Sequence, residues 1–410
     1  MRRLVGDSDS VRRQNRTLVL ATLREEGALS RTGLAARTGL SNASITAITQ
    51  DMLAQGLLTE LRDEDRGEGR IRGRPAVRVG FDRAAASAAL IELEVNRARF
   101  SVVDYSGTLV DRLEFALAPD AFSSVDPGDY LNQGLVQLAG RNRQEFRQLN
   151  RVAISVQGML ARDGGALKWS PIAGMADVHL ADAVSTAFGV PVRLHKRGSL
   201  LAEGSRLLDP NLRDADVATI FVGSTVSMGL AVKADALGRS QGRATEFGHM
   251  NHIPNGALCR CGARGCIEAY AGDYAILRTA YSVPETAVPA ASVPLSQYEG
   301  LIQQAAAGDR NARHAFNMAG RAIGYGLSRV MALVAPSHVL VIGPGARAFH
   351  LMRPEIEAAL QSSLIHRING SPQLMVQLDE QEPVYRGLLI KTLNDIDAEF
   401  AELPAAAQSA

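Results

Sequence analysis

Cysteine, long apolar runs and an excess of either charge sign are all scarce in this 410-residue sequence, and each scarcity removes a class of protein. Three cysteines is a small and odd count, which argues against a disulfide framework. No apolar run approaches the roughly 20 residues of a membrane helix, and no N-terminal stretch resembles a signal peptide. The expected location is therefore the cytoplasm, with no membrane partner. Lys and Arg total 44 against 43 Asp and Glu, a net of +1. That near-balance hides an asymmetry: residues 1–80 hold fourteen Arg and ten Asp or Glu, a net of +4, leaving about −3 elsewhere. The bias is mild and compatible with a nucleic-acid-binding end. A chain this long exceeds one core and implies two or three domains of ordinary globular composition.

The cysteines present are confined to one place. Glu246–Tyr270 reads EFGHMNHIPNGALCRCGARGCIEAY, with Cys259, Cys261 and Cys266 within eight residues and His249 ten residues upstream. Three thiolates and an imidazole are the ligand set of a closed tetrahedral zinc site, and Gly262 and Gly265 let the backbone turn tightly enough to converge them. The alternative is three buried thiols packed as small hydrophobes. One structural zinc per chain is the expectation, because four protein ligands leave no open position for water. The run of acidic residue, glycine, histidine and CxCGxxGCxE also resembles the signature of the ROK family, which contains sugar kinases and sugar-responsive repressors. The resemblance implies that Glu246, His249 and Glu268 contact sugar hydroxyls. The other reading of the two glutamates is that they orient His249 and the metal loop.

The first eighty residues suggest three short helices. Leu18, Val19 and Leu23 recur at helical spacing over 14–26, and Gly27 suits the position after a helix end. Ser30 can cap a helix over 31–37, and Ser41 one running to about Gln55. In the third, Ile45, Ile48, Met52 and Leu53 form an apolar stripe. Its other face carries Ala43, Thr46, Ala47 and Gln50, with Asn42 and Ser44 near the start. Small, amide and hydroxyl side chains let such a helix enter a major groove, which is the helix-turn-helix pattern. We take Ser41, Asn42, Ser44, Thr46 and Gln50 as DNA-reading candidates; a protein-interaction helix is the plainer alternative. Strands over 57–61 and 76–81 would flank a wing whose tip holds Arg66, Arg70, Arg72 and Arg74. Arg72-Gly73-Arg74-Pro75 is similar to an AT-hook core, which lies in A·T-rich minor grooves. Helices, wing and this segment together resemble the N-terminal half of ROK repressors.

From Ala88 the pattern changes to strands at 88–95, 99–104 and 109–117, a helix over 129–149, a strand at 152–156 and further alternation to a strand–glycine–helix unit at 338–345. Antiparallel strands followed by α/β alternation suit a ribonuclease-H-like domain. The resemblance implies two such lobes, of the actin/hexokinase-like kind, around a cleft. The fold class expected is α/β with an N-terminal winged helix-turn-helix. The expected domains are 1–82 for the winged helix, 83–196 for lobe 1 completed by a C-terminal helix at 384–401, and 197–383 for lobe 2 with the zinc motif.

Phosphoryl transfer needs glycine-rich phosphate loops and a carboxylate base. ROK kinases have Asp-x-Gly-Gly-Thr where this chain has Glu92-Leu93-Glu94-Val95-Asn96. Of their second loop only the outer glycines of Gly223–Gly229 survive. Counting back eight residues from Glu203 puts His195 at the catalytic aspartate and Leu194 at its asparagine neighbour; His195 thus joins the expected ligand-binding set. The sugar-side loop reads Ser170-Pro171-Ile172-Ala173-Gly174-Met175, and Leu194 and Met175 cannot hydrogen-bond hydroxyls. The expectation is a non-enzymatic transcription regulator, a repressor of carbohydrate-related genes. It would bind double-stranded operator DNA at an inverted repeat as a homodimer or dimer of dimers, with a sugar or sugar-phosphate effector. The competing readings are an active sugar kinase with an accessory DNA-binding domain and a regulator controlled by a protein partner.

Overall fold

The computed structural model describes residues 8–61, 77–232 and 242–402. Helix α1 (Ser8–Glu26) begins six residues earlier than its apolar spacing predicts and ends where Gly27 turns left-handed at φ +77°. Strand β1 (Leu29–Ser30), absent from the sequence reading, precedes α2 (Arg31–Thr38) and α3 (Asn42–Ala54). Both caps form as anticipated: Ser30 Oγ accepts from Gly33 N, and Ser41 Oγ from Ser44 N. Strands β2 (Leu58–Leu61) and β3 (Arg78–Phe81) pair antiparallel, and β1 adds to the free side of β3. The wing arginines Arg66, Arg70, Arg72 and Arg74 lie outside the described residues.

The next sheet is built from β4 (Ser87–Glu94), β5 (Arg97–Asp104) and β6 (Leu109–Ala116), an antiparallel meander in which β4 is buried throughout and β5 from Ala98 on. The helix expected over 129–149 is two: α4 (Pro127–Arg141) and α5 (Arg143–Arg147). Asn142 breaks it. Its side-chain amide donates to Asp111 on β6 at 2.7 Å and back to Leu138 O at 2.9 Å, ending the helical ladder. Strand β7 (Leu149–Val156) then runs parallel to β4. A small ribbon of β8 (Met159–Leu160) and β9 (Leu167–Trp169) leads to α6 (Leu180–Phe188), β10 (Val192–Lys196) and α7 (Arg197–Leu208). Helix α6 starts beyond Asp177, which sits at φ 56°, outside the helical region. The sheet order is β10-β7-β4-β5-β6.

That order repeats. Strands β11 (Val217–Val222), β12 (Val226–Ala231) and β13 (Gly242–Thr245) form a second meander, followed by helices α8 (Glu268–Ala271), α9 (Asp273–Ala280), α10 (Leu295–Ala306) and α11 (Arg310–Met331). Strand β14 (His338–Ile342) adds parallel to β11, and β15 (Gln373–Gln377) parallel to β14, giving β13-β12-β11-β14-β15. Between them, Gly343 at φ +99° and a 3-10 turn at Pro344–Ala348 precede α12 (Phe349–Gln361) and α13 (Leu364–Asn369), where the sequence suggested a direct strand-to-helix step.

The final helix, α14 (Gln381–Ala401), holds the halves together. It crosses α7 at glycines: a Cβ on Gly204 would overlap Pro383 O, and one on Gly387 would overlap Leu200 O. Its apolar residues Val384, Leu388 and Ile396 share one core with Leu20 of α1, Ile45 of α3, Leu90 of β4 and Leu200 of α7. The helix therefore packs against β4 and α7 and also carries the N-terminal helices.

Candidate functional site

His249 closes a short 3-10 turn after β13, and the three cysteines follow on a loop pinned by isolated bridges between Leu258 and Arg264 and between Asn251 and Cys266. Gly262 and Gly265 adopt φ +85° and +86°, the left-handed conformations the sequence required of them. The four donor atoms lie within 4.8 Å of one another. Cys261 Sγ stands 3.8 Å from Cys266 Sγ, and Cys259 Sγ 3.8 Å from His249 Nδ1. Ligands at 2.3 Å from a tetrahedral ion are separated by about 3.8 Å, so the residues fit a four-coordinate metal. Hydrogen bonding among the thiols drives Cys261 down and Cys259 up in pKa, the charge-sharing expected of sulfurs gathered around one point.

Glu268, wholly buried at the start of α8, joins this cluster to the neighbouring cleft. One carboxylate oxygen accepts from Val226 N at 3.0 Å; the other lies 3.6 Å from Cys259 Sγ. Burial raises its pKa, partly opposed by His249. Glu246, Glu268 and His249 line one inner cavity of about 50 Å³, with Trp169 set edge-on to His249 at 5.3 Å. An outer cavity of about 640 Å³ opens beyond it, and Gln157 and Arg197 line both.

His195 is not part of this site. On β10 its side chain does not line the cavity and feels the charges of Lys391 on α14 and of Arg193, while Leu194 and Met175 enter the first-lobe core. The residues that reach the cleft are Lys196, ion-paired with Glu246, and Arg197. The count from Glu203 thus points to a residue that does not line this cavity, where the end of β10 brings in Lys196 and Arg197. Strand alternation from Leu194 would have pointed to Lys196. The end of β10 thus sends two cations into the cleft. Glu92 is buried against Arg99 at 3.4 Å, and Glu94 pairs with Arg97 at 2.8 Å. The turn at Gly223–Thr225 is tied down by Arg260, which donates to Ser224 O and lies 4.4 Å over the Tyr274 ring.

At the other end, α3 presents Ser41, Asn42 and Gln50 to solvent, with Ser44 and Thr46 half-buried. The hydroxyls are already engaged: Ser41 and Ser44 bond each other at 2.9 Å, and Thr46 donates to Asn42 O at 2.8 Å. The amides of Asn42 and Gln50 are therefore the more available readers. The back of α3 is fixed by a group the sequence reading missed. Arg16 on α1, 1% exposed, donates to Asp51 of α3 and, at 2.6 Å, to Gln55 just past its end, and at 2.9 Å to Phe400 O of α14. Arg24, also on α1, makes a two-pronged pair with Asp397 of α14, both bonds 2.9 Å, beneath the Phe81 and Tyr105 rings. A partner for either arginine lies some 370 or more positions away, out of reach of any local signal.

A sequence profile of the ROK family matches residues 90–388. The DNA-binding transcriptional repressor Mlc of Escherichia coli (strain K12) is 25% identical over 365 residues, 88% of each chain. The xylose repressor of Bacillus subtilis (strain 168) is 22% identical over 364 residues, 88% of this chain and 91% of that one. Among solved structures, a ROK family transcriptional regulator described as a homologue of the E. coli Mlc protein superposes with a TM-score of 0.71 at 21% identity, covering 96% of this chain and 99% of that one. A ROK family glucokinase from Streptomyces griseus, in complex with glucose and AMPPNP, matches at TM-score 0.54 and 21% identity over 74% of this chain and 99% of that one.

Proposed function

The chain belongs to the ROK family, and from that premise we propose that it is a DNA-binding transcription regulator, a repressor of carbohydrate-related genes with a non-enzymatic sensor body. The observation that carries this reading is α3, capped by Ser41, exposing Asn42 and Gln50, and braced from behind by Arg16. An ordinary solvated helix face would carry charges there; this one suits base edges. Similarity to Mlc and to a xylose repressor over 88% of the chain supports the same view. We assign 1–82 to DNA binding, 83–196 with 384–401 to lobe 1, and 197–383 to lobe 2.

Two supporting details concern the body. Lys196 and Arg197 enter the inner cavity from the end of β10, and Glu94 lines the outer cavity, where it would repel a nucleotide tail, so we read the body as catalytically silent. We take the metal as one zinc per chain, held by His249, Cys259, Cys261 and Cys266 in a structural role, with Glu268 braced against it. The effector is a sugar or sugar derivative in the cleft beside Glu246 and Glu268. The narrow inner cavity and the Lys196–Glu246 pair that occupies it also favour, as a second reading, control by a protein partner.

Binding of the purified protein to its own upstream region, followed by fluorescence anisotropy at several salt concentrations, tests the assignment. We expect salt-sensitive, saturable binding of a dimer to an inverted repeat. Arg72→Ala with Arg74→Ala should weaken binding most where the flanks are A·T-rich. Equal binding to the operator and to scrambled duplex would end the regulator reading.

A further inference from the structure

Arg197 opens α7 at the passage between the two cavities and is 4% exposed. Its guanidinium lies 4.7 Å over the Phe221 ring, yet Nε and Nη1 have no hydrogen-bond partner. Its nearest carboxylates are too far to satisfy it: Glu94 Oε1 stands 3.7 Å from Nη2, and Glu380 Oε1 stands 4.0 Å away. Glu94 Oε1 is itself without a hydrogen bond. Leaving a buried guanidinium nitrogen unbonded is costly, and a group positioned to bond it recovers that cost.

The neighbouring charges narrow what that group is. In the inner cavity Lys196 is already ion-paired with Glu246, whereas Arg197, near Glu94 and Glu380, still has two nitrogens free to bond a ligand. On the outer side Glu94, Glu114, Asp273 and Glu380 line the larger cavity against Arg97 and Arg197. A doubly charged phosphate set there would face several carboxylates; a singly charged carboxylate matches one guanidinium with less repulsion. Size points the same way. About 50 Å³ is below the range of small-molecule sites, so a monosaccharide ring seated against Glu246 and Glu268 must project past Arg197 into the outer cavity.

Resting on the sugar-sensor reading above, we propose that the effector is an acidic sugar, a uronate or aldonate, whose carboxylate bonds Arg197 while its hydroxyls meet Glu246, Glu268 and Lys196. Arg197 is the residue that selects the acid over the neutral sugar.

Titration calorimetry of the full-length protein with D-glucuronate, D-gluconate, D-glucose and D-glucose 6-phosphate tests this. One of the two carboxylate sugars should bind at least about tenfold more tightly than glucose or the phosphate, the margin of one charge-assisted bond. Arg197→Gln should erase that margin, and Arg197→Lys should keep part of it. Glu94→Gln, which removes a competing carboxylate, should tighten the acid sugar several-fold, and it carries the test if the Arg197 variants fail to fold by circular dichroism. Equal or tighter binding of glucose or of the phosphate overturns the acid-sugar assignment and leaves the sugar-sensor reading intact. No binding by any of the four to a protein that still binds operator overturns both and favours a protein partner.

Discussion

At the scale of single residues, His195 illustrates how burial writes chemistry into stability. Its Nε2 has no partner, and burial first, then Lys391 and Arg193, lowers its pKa from 6.5 to about 4. Between those values the unfolded chain takes up a proton that the folded chain refuses. Stability is therefore fully present above pH 6.5 and declines as pH falls toward 4, by at most about 3 kcal/mol. His195→Gln should flatten that part of the curve when urea midpoints are measured from pH 7 to pH 4. An unchanged slope would place the acid sensitivity elsewhere. The same residue marks where sequence reading stops. His249 and the cysteines were legible because their ligand chemistry is local and their spacing short. Lys196 and Arg197 were not, because which of three consecutive side chains enters the cleft depends on how β10 ends against α7.

Among elements, the parts fixed by neighbouring chemistry were legible: the serine caps of α2 and α3, the glycine end of α1, and the first meander. The break at Asn142 was hidden because Asp111, on another strand, captures its amide. Strand β1 was hidden because two residues become a strand only when β3 lies beside them. The metal loop sits between these cases, with local ligands and a long-range consequence. Its Cys259 touches Glu268, which holds the start of β12 through Val226 N. Cys259→Ser should therefore do more than empty a metal site. We expect loss of about one zinc per chain by elemental analysis and destabilisation above about 2 kcal/mol, the range typical of lost metals and buried networks. Full stability in the serine variant would mean that the loop is held by packing alone.

At the scale of the whole molecule, α14 has a reach that neither lobe has. Its N-terminal Gln381 accepts from Arg99 at 2.7 Å and, with Glu380, lines the outer cavity. Its far end offers Phe400 O to Arg16, which also grips Asp51 on the back of α3 and Gln55 just past its end. Between these ends it crosses α7 at glycine contacts that leave no slack. A change in cleft occupancy that shifts α7 or Gln381 must move α14 as a rigid rod, and Arg16 is the point at which that motion meets the proposed DNA-reading helix. If ligand and operator are coupled through this contact, their mutual effect should be about 1–3 kcal/mol and equal in both directions. Arg16→Met should then lower operator affinity, because α3 loses its brace, and it should collapse the coupling while ligand affinity in the absence of DNA and metal content stay at wild-type levels. Anisotropy titrations with and without effector, on wild type and variant, measure all of these quantities. A variant that loses operator affinity but retains the full ligand effect would show that Arg16 merely supports α3 and that the signal travels by another route.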